Sequence, residues 1–217
     1  MSRVLPILFN TEMVRANLEG RKSCTRRIVK GFIPNDAKWG YTAFTPKGCI
    51  SCRGTFADGY GEKFFKLPCE PRDILYVRET WERFECWNCE GDESGSCPKE
   101  PQKSVLDKVC GCYMYRATDE ISGDAKWHPS IRMPKEAARI WLKVTDVRVE
   151  RLQKITEDGC IAEGIYPSNC RGCNATFGCD ACPDEGYNEV DGFADLWNST
   201  IKKSDLDRYS WDANPWV

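Results

Sequence analysis

Ala137-Ala-Arg-Ile-Trp-Leu-Lys-Val-Thr-Asp-Val-Arg-Val-Glu-Arg151 carries the clearest strand signal in the chain. Ile140, Leu142 and Val144 alternate, and Val147 and Val149 alternate one step out of phase. A period of two is the strand period. A one-residue slip moves the apolar side chains to the opposite face, so the pattern predicts a bulge or tight turn at Thr145-Asp146.

Working outward, the apolar run Val4–Phe9, the stretch 73–81 and Tyr113–Ala117 also read as strands. Between the first two, residues 31–72 are rich in Gly, Pro, Asp and Lys and read as loops or short hairpins. Helical spacing appears in three places. Thr11 is an N-cap for Met13, Val14 and Leu18, with Gly20 as the stop. Thr156 caps 156–165, with Ile161, Ala162 and Ile165 on one side. Phe193, Leu196, Trp197 and Ile201 make an amphipathic helix. Many short strands with few helices predict a mostly β (α+β) fold, a small and mostly antiparallel barrel with short helices at its side. The reading is one domain over 1–217, decorated by cysteine-rich insertions at about 85–112 and 167–190.

The 217 residues carry 31 Lys+Arg against 33 Asp+Glu, a formal net charge of −2. That balance excludes a strongly basic coat for wrapping duplex nucleic acid, though not a local basic patch. No apolar run reaches the roughly 18–20 residues of a membrane helix, so no membrane partner is expected. The opening segment lacks the apolar core and cleavage site of a signal peptide, which predicts a cytoplasmic protein.

Fourteen cysteines stand against one histidine. In a reducing cytosol such cysteines read as metal ligands rather than disulfides. Four C-x-x-C pairs occur, at Cys49/Cys52, Cys86/Cys89, Cys170/Cys173 and Cys179/Cys182. Two thiolates on one tight turn hold a tetrahedral zinc from one side. Cys170, Cys173, Cys179 and Cys182 therefore predict one closed structural zinc site. Cys86, Cys89 and Cys97, with Cys110 or Cys112, suggest a second. Cys49, Cys52 and Cys69 offer three ligands of a third. Free thiols and iron–sulfur ligation are the competing readings. Cys24 and Cys160 read as small buried apolar groups.

Gly20-Arg-Lys-Ser-Cys-Thr-Arg-Arg27 is the candidate reactive cluster. Lys22 and Thr25 are three apart, a spacing that brings an amine near a hydroxyl in a turn or helix end. A lysine of lowered pKa can act as base toward a threonine nucleophile, and Arg26 and Arg27 supply positive charge for a phosphate or oxyanion. A solvated basic turn is the plain alternative. Glu79 shares a strand face with Leu75, Val77 and Trp81, where a carboxylate is costly unless paired or functional. A lysine partner would satisfy it, and an end-of-strand salt bridge is the plain alternative.

Several segments together resemble the ASCH domain family, which is PUA-like. They are Ile7-Leu-Phe-Asn-Thr-Glu-Met-Val-Arg15, the G-x-K-x-x-T-x-R set Gly20, Lys22, Thr25 and Arg27, the stretch Asp73–Trp81, the stretch Met133–Gln153, Phe193–Thr200 and Asn214-Pro-Trp-Val217. The resemblance is to phage- and prophage-encoded members and covers most of the chain outside the two cysteine loops. It implies a PUA-like β-barrel with a cleft that takes a nucleobase, nucleoside, nucleotide or RNA. One branch of the superfamily hydrolyses N4-acetylcytidine with a Lys-Thr-Glu triad, which falls on Lys22, Thr25 and Glu79. In that analogy Thr25 attacks the amide carbonyl, Lys22 takes its proton and Glu79 assists. Non-catalytic RNA binding and RNA cleavage are the alternatives, and kinship of fold does not choose among them. The segment holding Trp127, His128, Ser130 and Arg132 resembles the cleft-lining loop, so these four are candidate ligand contacts. The sequence departs from the family at Arg72, where glycine is usual. The relatives also continue past Asn-Pro-Trp-Val into a final barrel strand.

Overall fold

In a computed structural model, residues 2–85, 102–103, 110–120, 126–165 and 188–217 are described. In chain order the elements are β1 (Val4–Leu8), α1 (Thr11–Leu18), β2 (Lys38–Gly40), β3 (Cys49–Phe56), β4 (Gly59–Lys66), β5 (Ile74–Arg78), β6 (Trp81–Glu85), β7 (Gln102–Lys103), β8 (Cys110–Tyr115), β9 (Trp141–Lys143), α2 (Glu157–Glu163), α3 (Glu189–Thr200) and α4 (Leu206–Tyr209). They fall into two compact units, Met1–Leu18 with Ile74–Leu142, and Glu19–Asp73 with Lys143–Val217. None of the described helices is long and apolar enough to cross a membrane.

In the first unit β1 runs parallel to β5, Val4 opposite Ile74 and Leu8 opposite Arg78. β9 flanks β5 on its other side. The Val77 amide donates to Ile140 O, and the Val144 amide to Asp73 O, so that pairing is antiparallel. Pro6, which cannot donate to a ladder, lies in an edge strand. Phe9, Val14, Val77, Ala117 and Ile140 make one core. Tyr113, Tyr115, Met133 and Ala137 make another, under the sheet of β6, β8 and β7.

In the second unit Leu152, Ile155, Cys160, Phe193, Trp197 and Val217 form the core. α2 is capped by Thr156, whose hydroxyl accepts from the Gly159 amide, and closes on Gly164 at φ +106°. α3 opens on Asn188 and buries Phe193 and Trp197. Both helices match the reading from the sequence. At α1 the cap is Asn10, whose side chain accepts from the Met13 amide, and Thr11 becomes the first helical residue.

Of the loops or short hairpins read over 31–72, a hairpin is what forms, and it is a long one. Two eight-residue strands, β3 and β4, pair from Cys49–Lys66 through Phe56–Gly59, with β2 added at the edge. The inward row of β3 is Ile50, Cys52, Gly54 and Phe56, while Tyr60 and Phe64 of β4 stay outside. Hydrophobicity therefore does not mark the faces, and that left the hairpin's strand limits unread. The strand expected over 73–81 divides at Glu79-Thr80, with β5 and β6 in different sheets. The strand expected over 137–151 is regular only at Trp141–Lys143. Its phase slip falls just past the passage between units at Leu142. Beyond it, Glu150 and Val217 exchange reciprocal backbone hydrogen bonds. The mostly-strand, mixed α/β character agrees with the expectation. The described strands make three separate three-stranded sheets rather than one closed barrel.

Candidate functional site

The candidate residues divide between the units, and two buried charge clusters organise them. In the second unit the segment after Gly20 lies against the end of α2. The Ser23 and Cys24 amides donate to Ala162 O, and Arg21 Nη1 donates to Gly164 O at 2.7 Å. The last carbonyls of a helix lack intrahelical donors and favour cations, which explains this docking. Lys22 is only 3% exposed. Its ammonium donates to Glu163 O at 2.7 Å, to Glu163 Oε2 at 2.9 Å and to Cys24 O at 2.8 Å. The other Glu163 oxygen accepts from the Arg26 amide at 2.6 Å and faces Arg26 Nη1 at 3.3 Å. Arg26 Nη2 donates to Glu150 Oε1 at 2.9 Å. Thr25 Oγ1 is buried without a hydrogen-bond partner, and Arg27 is exposed. Burial, with Glu163 beside it, pushes the Cys24 thiol up against the pull of Arg26 and Lys22.

In the first unit Glu79 is 1% exposed, as the face pattern required. Its carboxylate is gripped by Arg139, Nε on Oε1 and Nη2 on Oε2, both at 2.9 Å. Arg139 Nη1 also donates to Thr118, and its guanidinium lies 4.0 Å from the Tyr115 ring centroid. This bidentate fork is a strong, geometrically specific pair. Arg139, Glu163 and Glu150 are the functional-cluster residues that sequence reasoning missed. Glu163 lay within the helix read over 156–165, and its place at that helix's end beside Gly164 emerges only in the structure.

The segment with the four other candidates joins β6. His128 and Trp81 exchange backbone hydrogen bonds at 2.7 and 3.2 Å, and their rings lie 5.1 Å apart. Trp127, His128 and Ser130 are half-buried, and Arg132 is exposed. Neighbouring Glu82 is 9% exposed. Its Oε1 stands 3.6 Å from His128 Nε2, while its Oε2 and the Trp81 indole nitrogen are buried without a partner.

Of the metal candidates, Cys86, Cys89, Cys97, Cys170, Cys173, Cys179 and Cys182 lie outside the described residues. Cys110 and Cys112 lie in β8. Cys49 and Cys52 correct the expectation of a shared turn. Both are in β3, where a three-residue spacing puts side chains on opposite faces. Among the described residues no group of three or more His, Cys, Asp or Glu could hold a metal.

Comparison of the chain with protein-family models, curated proteins and solved structures finds no match in any of the three. The fold and site define a strand-rich, mixed α/β chain in which Glu79 is met by arginine and Glu163 by lysine and arginine.

Proposed function

We propose that this is an ASCH-type, PUA-like protein of the cytoplasm, the host's cytoplasm if phage-encoded, that binds a nucleobase as nucleoside, nucleotide or RNA. The observation that carries the reading is Glu82 Oε2, a buried acceptor with no donor beside the Trp81–His128 pair. A buried polar atom without a partner costs about 1–3 kcal/mol. An exocyclic amine such as N4 of cytosine returns that hydrogen bond, and the half-open aromatic pair supplies a stacking surface. His128 sits in the segment that resembles the family's cleft-lining loop.

Binding without hydrolysis is favoured by Lys22. An ammonium has three N–H donors, and each has an acceptor here. To act as base toward Thr25, Lys22 must lose its proton and leave Glu163. Titration calorimetry with cytidine should show binding that Glu82→Gln weakens about tenfold or more. Equal affinity in the variant rejects the reading. Acetate release from N4-acetylcytidine, lost in both Lys22→Ala and Thr25→Ala, would instead establish the amidohydrolase.

Structural zinc belongs to the same proposal. Four thiolates in C-x-x-C pairs are a zinc donor set, and such a closed site supplies folding energy rather than chemistry. Cys170, Cys173, Cys179 and Cys182 would hold one ion, and Cys86, Cys89 and Cys97 with Cys110 or Cys112 a second. Elemental analysis of the purified chain should find at least one zinc, and a folded, zinc-free protein rejects the assignment.

A further inference from the structure

The sheet of β2, β3 and β4 turns an unusual face outward. Residues directly opposite in an antiparallel ladder share a face, so the register fixes its rows. Lys66 lies opposite Cys49, and Phe64 opposite Ser51 and Gly40. Glu62 lies opposite Arg53 and Lys38, and Tyr60 opposite Thr55. The other face is the buried one, with Ile50, Cys52 and Phe56 inside and Trp39 packed on Phe65 and Trp216. On the outer face Tyr60 is 70% exposed and Phe64 42%. Lys38, Arg53, Glu62 and Lys66 are exposed with them. The Glu62 carboxylate is engaged by the Ser51 hydroxyl. In the β2–β3 loop that leaves the Gly40 and Cys49 end of the sheet, Phe44 is 83% exposed.

Two aromatic rings and three cations, against Glu62 and, at the Thr55 hydroxyl, Asp36, leave this exposed sheet face net positive in a chain of net charge −2. Tyr60 and Phe64 are four residues apart on one strand, about 13 Å. Rings at intervals along a sheet, flanked by Lys and Arg, are how single strands are held: bases stack on the rings and phosphates meet the cations. We infer that this face is a platform for single-stranded RNA, an extension that rests on the nucleobase-binding reading of the protein. RNA is chosen over DNA because Glu62 stands between the rings. A carboxylate repels phosphate but accepts from a ribose 2′-hydroxyl, which DNA lacks.

Fluorescence anisotropy with a labelled oligouridine of about twelve nucleotides tests this on the full chain. Expected is binding that weakens with salt. Tyr60→Ala with Phe64→Ala should reduce affinity at least tenfold, and Lys38→Ala with Lys66→Ala should flatten the salt dependence. Tyr60→Phe should bind as the parent does, which separates loss of a ring from loss of the fold. No binding at low salt, or unchanged affinity in the double aromatic variant, overturns the platform. So does equal binding of oligodeoxyuridine or duplex. Self-association of the chain that the aromatic variant abolishes, without RNA binding, makes the face a protein contact and overturns it as well. Cytidine titration run in parallel keeps the two readings apart. Cytidine binding without oligouridine binding rejects the platform alone, and the reverse rejects the Glu82 corner alone.

Discussion

Arg72 is a non-glycine residue at φ +78°, immediately before the buried Asp73. The left-handed region costs an L-residue roughly 1–2 kcal/mol. The Arg72 amide still donates to Val144 O at 2.8 Å, a bond glycine would keep. Arg72→Gly should therefore stabilise the chain by about 1 kcal/mol, a rise of roughly 2–4 °C in Tm by thermal unfolding. A fall in Tm would mean that the arginine side chain matters more than the strain. Glu163 is the opposite kind of residue, one carboxylate serving Lys22, Arg26 and a backbone amide. Glu163→Ala leaves a buried ammonium without its counter-charge and should cost about 3–5 kcal/mol in guanidinium denaturation. Replacing Lys22 and Glu163 together by methionine should recover most of that loss. If the double variant is as unstable as Glu163→Ala, Lys22 is not the group that Glu163 serves.

At the scale of an element, α3 shows the local code working fully. Asn188 accepts from the Val190 and Asp191 amides, and the Asp191 side chain accepts in return from the Asn188 amide. Asn188→Ala should lower stability by about 1 kcal/mol, while Asn188→Asp should be close to neutral, by urea denaturation. Equal losses in both would show that the cap is not what holds the end. The β2–β4 sheet shows the local code failing. Its inner row includes Cys52 and Gly54, its outer row Tyr60 and Phe64, and no periodicity of polarity separates them.

Across the whole molecule, two phenols of one core contribute to stability at alkaline pH. Burial pushes Tyr113 up to about 12, helped by its hydrogen bond to Glu136. Burial likewise pushes Tyr115 up to about 12, opposed by Arg139 and reinforced by Glu79. In the unfolded chain both ionise near the ordinary value of about 10. Between those limits the folded state holds more protons, so the share of stability tied to the phenols is whole below about pH 10 and drains away toward pH 12, while the Cys160 thiol, pushed by burial up to about 11, begins its own loss about a unit earlier. Tyr115→Phe should cost about 1 kcal/mol at pH 7, because Ala137 O loses its donor. It should also make the alkaline loss shallower, measured by urea midpoints from pH 8 to 11. An unchanged alkaline slope would assign the loss elsewhere.

The sequence by itself determined α1, α2 and α3, through apolar spacing and a cap at Thr156 that act within a few residues, though it set the cap of α1 one residue late and did not mark α4. It also determined the burial of Glu79, because a period of two carries Val77 and Glu79 to one side. It marked Lys22, Thr25 and Arg26 as a cluster, since they adjoin in the chain. Only the tertiary structure decided that Lys22 answers to Glu163, 141 positions away, and Glu79 to Arg139, 60 away. It alone split the 137–151 ribbon between two units and opened an aromatic sheet face to solvent. Local signals arise from backbone geometry over a turn or a strand. Which charges meet, and which faces are covered, depends on segments distant in the chain, and no short pattern encodes that.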